Sequence, residues 1–309
     1  MNTQKSILEL KNPLDHKQMM NYIDILTTRY PFLAVTGLGE SIMGRMIPML
    51  TIGEGEKSIV YVGAHHGMEW ITSVILLRYI NEFCEMYSRG GKIYNYSLNY
   101  LFATRSIHII PMLNPDGVDY QINGIGEDNV LRERLIKMNE GSEDFSNWQA
   151  NARGVDLNRN YNSRYAEYKK IEAEEGICGG SALHFSGEMP ESEPEVGALC
   201  NYLRFNRSIR AVLTFHSQGE EIYYTSGGVR VAPRSRSMGE RLARMSGYKL
   251  CYPDKNSSYC GLTDWCIDEL NLPSFTIECG KGKNPLPISD CFTIYMKLRE
   301  MLFCAPTLI

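Results

Sequence analysis

The chain has 309 residues, enough for one large α/β domain or two ordinary ones. A hydrophobic fraction of 43% is that of a globular protein able to bury a sizeable core. A net charge of −4 and a pI near 5.9 leave no basic surplus for neutralising phosphates, which argues against nucleic acid as the main partner.

Residues 15–30 make a helix with apolar positions at Met19, Met20, Tyr22, Ile23 and Leu26, stopped by Pro31. Two strand-like runs follow, 32–37 and 46–52. Residues 59–63, in SIVYVGAHHGMEW, are apolar and β-branched and read as a buried strand, after which a helix runs over 71–87 to the Gly90-Gly91 breaker. Segment 92–106 has edge-strand character, and 106–112 is a sheet strand ending in the turn-forming Asn114-Pro115-Asp116-Gly117. A helix at 130–139 precedes the stretch RGVDLNRNYN at 153–162. Residues 163–190 lack periodicity and read as a long surface loop, with the Glu run 172–175 solvated. Then come helix 194–205, strand 211–215, helix 233–246, segment 263–270, strand 274–277 and a last helix at 289–303. Strands alternating with helices, without repeat or linker, imply one α/β domain over 1–309, its mixed, mostly parallel sheet covered on both faces.

Nine cysteines without a CxxC pair imply free thiols in a reducing compartment. The N-terminal residues show no signal-peptide pattern, and no stretch nears the roughly 20 apolar residues of a membrane span. The expected setting is cytoplasmic.

Three strands end in residues fit for chemistry. Strand 59–63 delivers His66 and Glu69, strand 211–215 delivers His216, and strand 274–277 delivers Glu278. In an open α/β sheet ligands bind beyond the carboxyl ends of strands. Two imidazoles and a carboxylate make a zinc set with an open fourth position for water. Glu278 is then the candidate general base. Arg153 and Arg159 flank a Gly-Val-Asp turn and offer forked donors to a carboxylate or an oxyanion.

GAHHGMEW, LNPDG, GVDLNRN, FHS and FTIEC, in this order and spacing, resemble the zinc carboxypeptidase family typified by carboxypeptidase A. The resemblance runs from about residue 22 to 278. It implies a sheet of about eight strands with helices on both sides, one Zn²⁺ per chain on His66, Glu69 and His216, and Glu278 as the base. Asn158 and Arg159 match the pair that holds the substrate's terminal carboxylate. Arg153 is the candidate for the oxyanion-stabilising Arg, although larger members place that residue farther upstream. Asn256 falls where the family has a mobile active-site Tyr, and Tyr259, three residues on, is the nearest candidate for substrate contact.

Within the family the chain looks closest to bacterial γ-D-glutamyl-meso-diaminopimelate peptidases. The implied substrate is a peptide or muropeptide, in a cytoplasmic or spore-associated setting, with export by another route left open. The oligomeric state is open too. The rival readings are a general metallocarboxypeptidase on protein C-termini, an N-acyl amino acid amidohydrolase of the succinylglutamate desuccinylase or aspartoacylase type, and a binding module without zinc. The remaining polar residues have simpler readings. His65 shapes its loop, His108 is a hydrogen-bonded sheet residue, His16 and His184 are solvated, and Asp116 is turn chemistry. Asp156 bonds nearby amides or orients a ligand His. Cys279 lacks a His base of its own and is a structural thiol.

Overall fold

A computed structural model describes residues 12–253 and 258–309. Helix α1 (His16–Arg29) starts at Asp15, whose carboxylate accepts from Gln18 N at 2.8 Å while Gln18 bonds back to Asp15 N. Strands β1 (Ala34–Glu40) and β2 (Met46–Ile52) pair antiparallel. β1 begins later than its apolar run because the ladder with β2, not local propensity, fixes its extent. Strand β3 (Lys57–Gly63) leads through a 3₁₀ turn, Gly67–Glu69, into α2 (Ile71–Ser88).

Segment 92–106 departs from the expected strand. It makes a small hairpin, β4 (Lys92–Ile93) and β5 (Tyr96–Ser97), and then α3 (Leu98–Thr104), before β6 (Arg105–Ile110). Leu98, Leu101 and Phe102, at helical spacing, are the buried face of α3. The NPDG stretch is no free-standing turn. Asn114 caps α4 (Pro115–Asn123) through Gly117 N, with Pro115 at the first helical position. Asp116 is buried, accepting from Arg45 Nη1 at 2.6 Å, Ser41 Oγ and Met43 N.

After α5 (Arg132–Met138), the expected loop 163–190 opens with α6 (Tyr165–Glu174). Glu172, expected in solvent, is buried, pairs with Lys169 and accepts from Ser186 N at 2.8 Å. Helix α7 (Pro194–Phe205), strand β7 (Ile209–His216), α9 (Leu262–Leu270), β10 (Ser274–Glu278) and α10 (Cys291–Cys304) lie where the patterning puts them. The patterning also anticipates α8 (Ser235–Ser246) but not the three-residue strands β8 (Glu221–Tyr223) and β9 (Lys249–Cys251).

The eight-stranded sheet has the order β1-β2-β6-β3-β7-β10-β8-β9. β6, β3, β7 and β10 are mutually parallel, while β2 and β8 join them antiparallel. Burial on both faces of β3 follows from its period of two. Ile59 and Tyr61 join the core with α2 and α10, whereas Val60 and Val62 join the core with α7 and α9. From β3 the chain crosses to β6 on one side and later enters β7 on the other. The carboxyl ends of β3 and β7 therefore border the crevice where open α/β sheets bind ligands.

A third cluster, built on Trp148 with Tyr120, Phe145, Leu135 and Met138, buttresses the chain just before Gln149. Asn114 links these parts. Its amide donates to His65 O at 3.0 Å and Gln149 O at 3.2 Å, and its side-chain oxygen caps α4. Asn114→Ala removes a cap and leaves buried carbonyls unpaired. It should cost about 2–4 kcal/mol, read by urea denaturation.

Candidate active site

At the end of β3 the chain turns through Ala64, whose φ of +46° lies in the left-handed region. Two bonds fix that turn: Ala64 N donates to Thr72 Oγ1 at 2.8 Å, and Asn114 N donates to Ala64 O at 3.0 Å. Gly67 is required for contact. A Cβ there would lie 2.4 Å from Gly117 O and 2.7 Å from Trp148 O. The turn sends His65 inward, between Tyr161 Oη at 2.9 Å and Thr214 Oγ1 at 3.2 Å, and leaves His66 at the head of the sheet.

Pairing register does the rest. On β7 and β10, His216 stands opposite Glu278, which stands opposite Glu221 on β8. The row beneath is Thr214, Thr276 and Tyr223. Glu69 reaches between the two imidazoles, with Oε1 2.9 Å from His66 Nδ1 and Oε2 3.0 Å from His216 Nδ1. One ligand atom from each of the three residues lies within 4.8 Å of the others, and all three residues are buried.

The donor set fits a metal on two counts. His66 Nδ1 is buried and, despite its closeness to Glu69, lacks hydrogen-bond geometry to any partner among the described residues. The far nitrogens are already engaged, His66 Nε2 with Asp156 Oδ1 at 3.1 Å and His216 Nε2 with Thr214 Oγ1 at 3.2 Å. Such outer bonds fix the ring so that Nδ1 is turned to an ion. Two imidazoles and a carboxylate are the borderline-soft set that Zn²⁺ takes.

Charge tells the same story. Burial opposes a proton on His66, yet Glu69 and Asp156 outweigh it and push the imidazole up to about 10. Burial likewise works against Glu69 ionising, but the two histidines bring it down to about 2. His66 also holds Asp156 below the ordinary carboxylate range against its burial. Burial first, then Glu69 and Glu221, push Glu278 up to about 8.

The cleft above these residues has a volume of about 910 Å³, and His66, Glu69, His216, Glu278, Asn158 and Arg159 all line it. Arg159 Nη1 donates to Tyr259 O at 2.9 Å, and its guanidinium lies 4.9 Å from the Tyr168 ring centre. Asn158 accepts from Leu262 N at 3.0 Å, capping the start of α9. The Arg153 guanidinium is not brought to the cleft; it is half exposed and 3.8 Å from Glu193. Nor does the Tyr259 ring line the cleft. It lies under the Arg164 guanidinium, 4.9 Å away, and Tyr259 serves the site through its carbonyl. Asn256 lies outside the described residues. His184, read as solvated, is exposed but borders the cleft. Burial and the Glu278 charge push the Cys279 thiol up, as suits a structural cysteine. Sequence reasoning passed over Gln149, which lines the cleft and donates from Nε2 to Asp156 Oδ2 at 2.8 Å. The only hint was its position, four residues ahead of the RGVDLN stretch.

Residues 19–300 match the zinc carboxypeptidase family, Peptidase_M14. The chain belongs to that family. As a zinc carboxypeptidase it is a hydrolase whose family depends on Zn²⁺. It is 36% identical over 283 residues to gamma-D-glutamyl-L-diamino acid endopeptidase 1 of Lysinibacillus sphaericus, covering 92% of this chain and 69% of that protein. It is 33% identical over 292 residues to the uncharacterized protein YqgT of Bacillus subtilis (strain 168), covering 94% and 75%. Among solved structures, thrombin activatable fibrinolysis inhibitor superposes with a TM-score of 0.71 at 21% identity, over 95% of this chain and 74% of that one. That likeness is one of fold. No helix among the described residues is long and apolar enough to cross a membrane.

The His66 proton makes a testable demand on this zinc carboxypeptidase. Its affinity is raised from 6.5 to about 10 on folding, so its stabilising share is full below pH 6.5 and is lost as pH rises through 10. Thermal denaturation of chelator-treated protein should show the melting temperature falling across that window. His66→Gln should remove that part of the slope. Zinc binding near neutral pH should expel the proton, seen calorimetrically as heat that varies with the buffer's ionisation enthalpy.

Proposed function

We propose that this chain hydrolyses the amide bond preceding a diamino acid that bears a free α-carboxylate, as in the γ-D-glutamyl–diamino acid bond of peptidoglycan stem peptides. One observation carries the reading. A metal-type donor set, a proton-affine carboxylate and an arginine held by Tyr259 O share one cleft. The substrate class is supported by the likeness to the Lysinibacillus sphaericus enzyme, which covers nearly the whole chain. A cytoplasmic setting belongs to the same proposal, supported by nine free thiols.

His66, Glu69 and His216 would hold one Zn²⁺. When bound, the ion supplies Lewis-acid chemistry, polarising a carbonyl and making water more acidic. Glu278 takes a proton from the attacking water and returns it to the leaving nitrogen as the C–N bond breaks. Its raised affinity suits both halves of that transfer. Arg159 binds the α-carboxylate of the departing residue. The Tyr259 carbonyl and the Tyr168 ring hold the guanidinium in advance, so little ordering remains for binding. Asn158 supports it by tying the Arg159 turn to α9. Asp156 keeps the His66 ring oriented.

Glu278→Gln should leave zinc content unchanged and lower kcat by about 10²–10⁴-fold; steady-state kinetics beside elemental analysis reads both. Activity near that of the wild type removes Glu278 as the base. Arg159→Ala should raise KM at least tenfold for substrates with a free α-carboxylate and leave amidated ones unaffected. Tri- and tetrapeptide stems, incubated with zinc-loaded protein and read by mass, should release the diamino acid portion. Faster cleavage of ordinary L-peptide C-termini would instead make it a general metallocarboxypeptidase.

A further inference from the structure

Attack on the scissile carbonyl places negative charge on its oxygen, and a preorganised N–H donor there is worth several kcal/mol of barrier, on the order of 3–4. Sequence reasoning assigned that duty to Arg153, whose guanidinium sits with Glu193 outside the cleft. Arg159 is the only arginine among the described residues lining the cleft, and the carboxylate anchor engages it. The donor must come from another residue.

Gln149 has the required attachment. It follows the fully buried Trp148, and its main chain is stitched to the ligand loop. Its carbonyl accepts from Gly67 N at 2.9 Å, one residue after His66, and from Asn114 Nδ2 at 3.2 Å; its N–H donates to Ala182 O. The side chain is as constrained. Asp156 Oδ1 serves His66 Nε2 and Asn158 N, and Oδ2 accepts from Gln149 Nε2 at 2.8 Å. A carboxylate accepts hydrogen bonds, so the nitrogen end of the amide, not the oxygen end, must face Asp156. An amide nitrogen carries two N–H groups. One is committed to Asp156, and the second has no partner among the described residues. The planar amide turns that second N–H away from Asp156, on a residue that lines the cleft beside His66.

We propose that Gln149 is the oxyanion donor, its second amide N–H bonding the scissile carbonyl oxygen as that oxygen takes up charge. The inference rests on the peptidase reading above. The balance is simple. The water oxygen bonds the carbonyl carbon, the water proton goes to Glu278, and the C=O electron pair moves onto the oxygen that Gln149 meets. Collapse restores the carbonyl, breaks the C–N bond and returns the proton to nitrogen.

The test uses zinc-loaded full-length Gln149→Met, which keeps side-chain length without a donor, and Gln149→Ala. Kinetics are run on whichever peptide the wild type cleaves fastest, with binding of a phosphinic analogue of that peptide and of its product measured by calorimetry. Both variants should lose kcat by about 10²–10³-fold with KM within threefold. Affinity for the tetrahedral analogue should fall in parallel, while product binding should not. Excess zinc should restore nothing. A kcat within threefold of wild type, a loss recovered by added zinc, or equal losses for analogue and product would overturn the assignment and leave Gln149 as a prop for Asp156. Failure of the substrate reading is a separate event. A wild type active on other peptides but not on diamino acid stems overturns that reading and leaves this test intact. If the wild type cleaves no peptide, the phosphinic analogue of a γ-D-glutamyl–diamino acid peptide still decides, since Gln149→Met must weaken it relative to the free diamino acid.

Discussion

Glu69 stands between two imidazoles, and protons alone leave the three residues imperfectly matched. With His66 charged, its Nδ1 lies 2.9 Å from a carboxylate oxygen yet off hydrogen-bond geometry. With His66 neutral, two buried carboxylates, Glu69 and Asp156, lose their nearest counter-charge. A divalent cation held by His66, Glu69 and His216 would meet both conditions, since it would supply the positive charge that balances the acids. The head of the sheet is organised around these three side chains.

The fold keeps this arrangement rigid by spending few residues on it. β3, β7 and β10 run side by side, so their carboxyl ends arrive at one level, and register places His216 and Glu278 as neighbours without any loop. Only the His66 turn needs special construction, and there several devices coincide: Ala64 at positive φ, Gly67 pressed on Gly117 and Trp148, and Asn114 bonded to two carbonyls. Buried apolar strands below carry the stability, at ~1.5–3 kcal/mol for each large side chain removed from water. The polar head thus sits on an apolar base packed on both faces of the sheet.

What could be read beforehand follows from which signals are local. Strong periodicity gave helix 194–205 its observed bounds, and apolar runs ending in His or Glu marked the strand ends that converge. Segment 92–106 misled because Leu98, Leu101 and Phe102 suit a strand or a short helix until their neighbours are known. NPDG misled because a turn and a helix start use the same residues. Asp116 and Glu172 misled because their partners, Arg45 and Ser186, lie 71 and 14 positions away. Strands β8 and β9, three residues each, hold too little pattern to be seen alone.

Arg153 and Gln149 show the same limit at the site itself. Sequence chemistry ranks side chains by what they can do, and a guanidinium outranks an amide as an oxyanion donor. Position reverses the ranking. Arg153 N bonds the Asn151 side chain, and its half-exposed guanidinium lies by Glu193 at the start of α7. Gln149, four residues earlier, lies where the chain crosses the ligand loop and touches Gly67, Asn114 and Asp156 together. Asp156 is the pivot of that crossing. One of its oxygens bonds the His66 imidazole and the other fixes the amide, so any displacement of one is felt by the other. A donor coupled to His66 in this way would keep its place relative to an ion held there, and constancy of place is what electrostatic stabilisation of a developing charge requires.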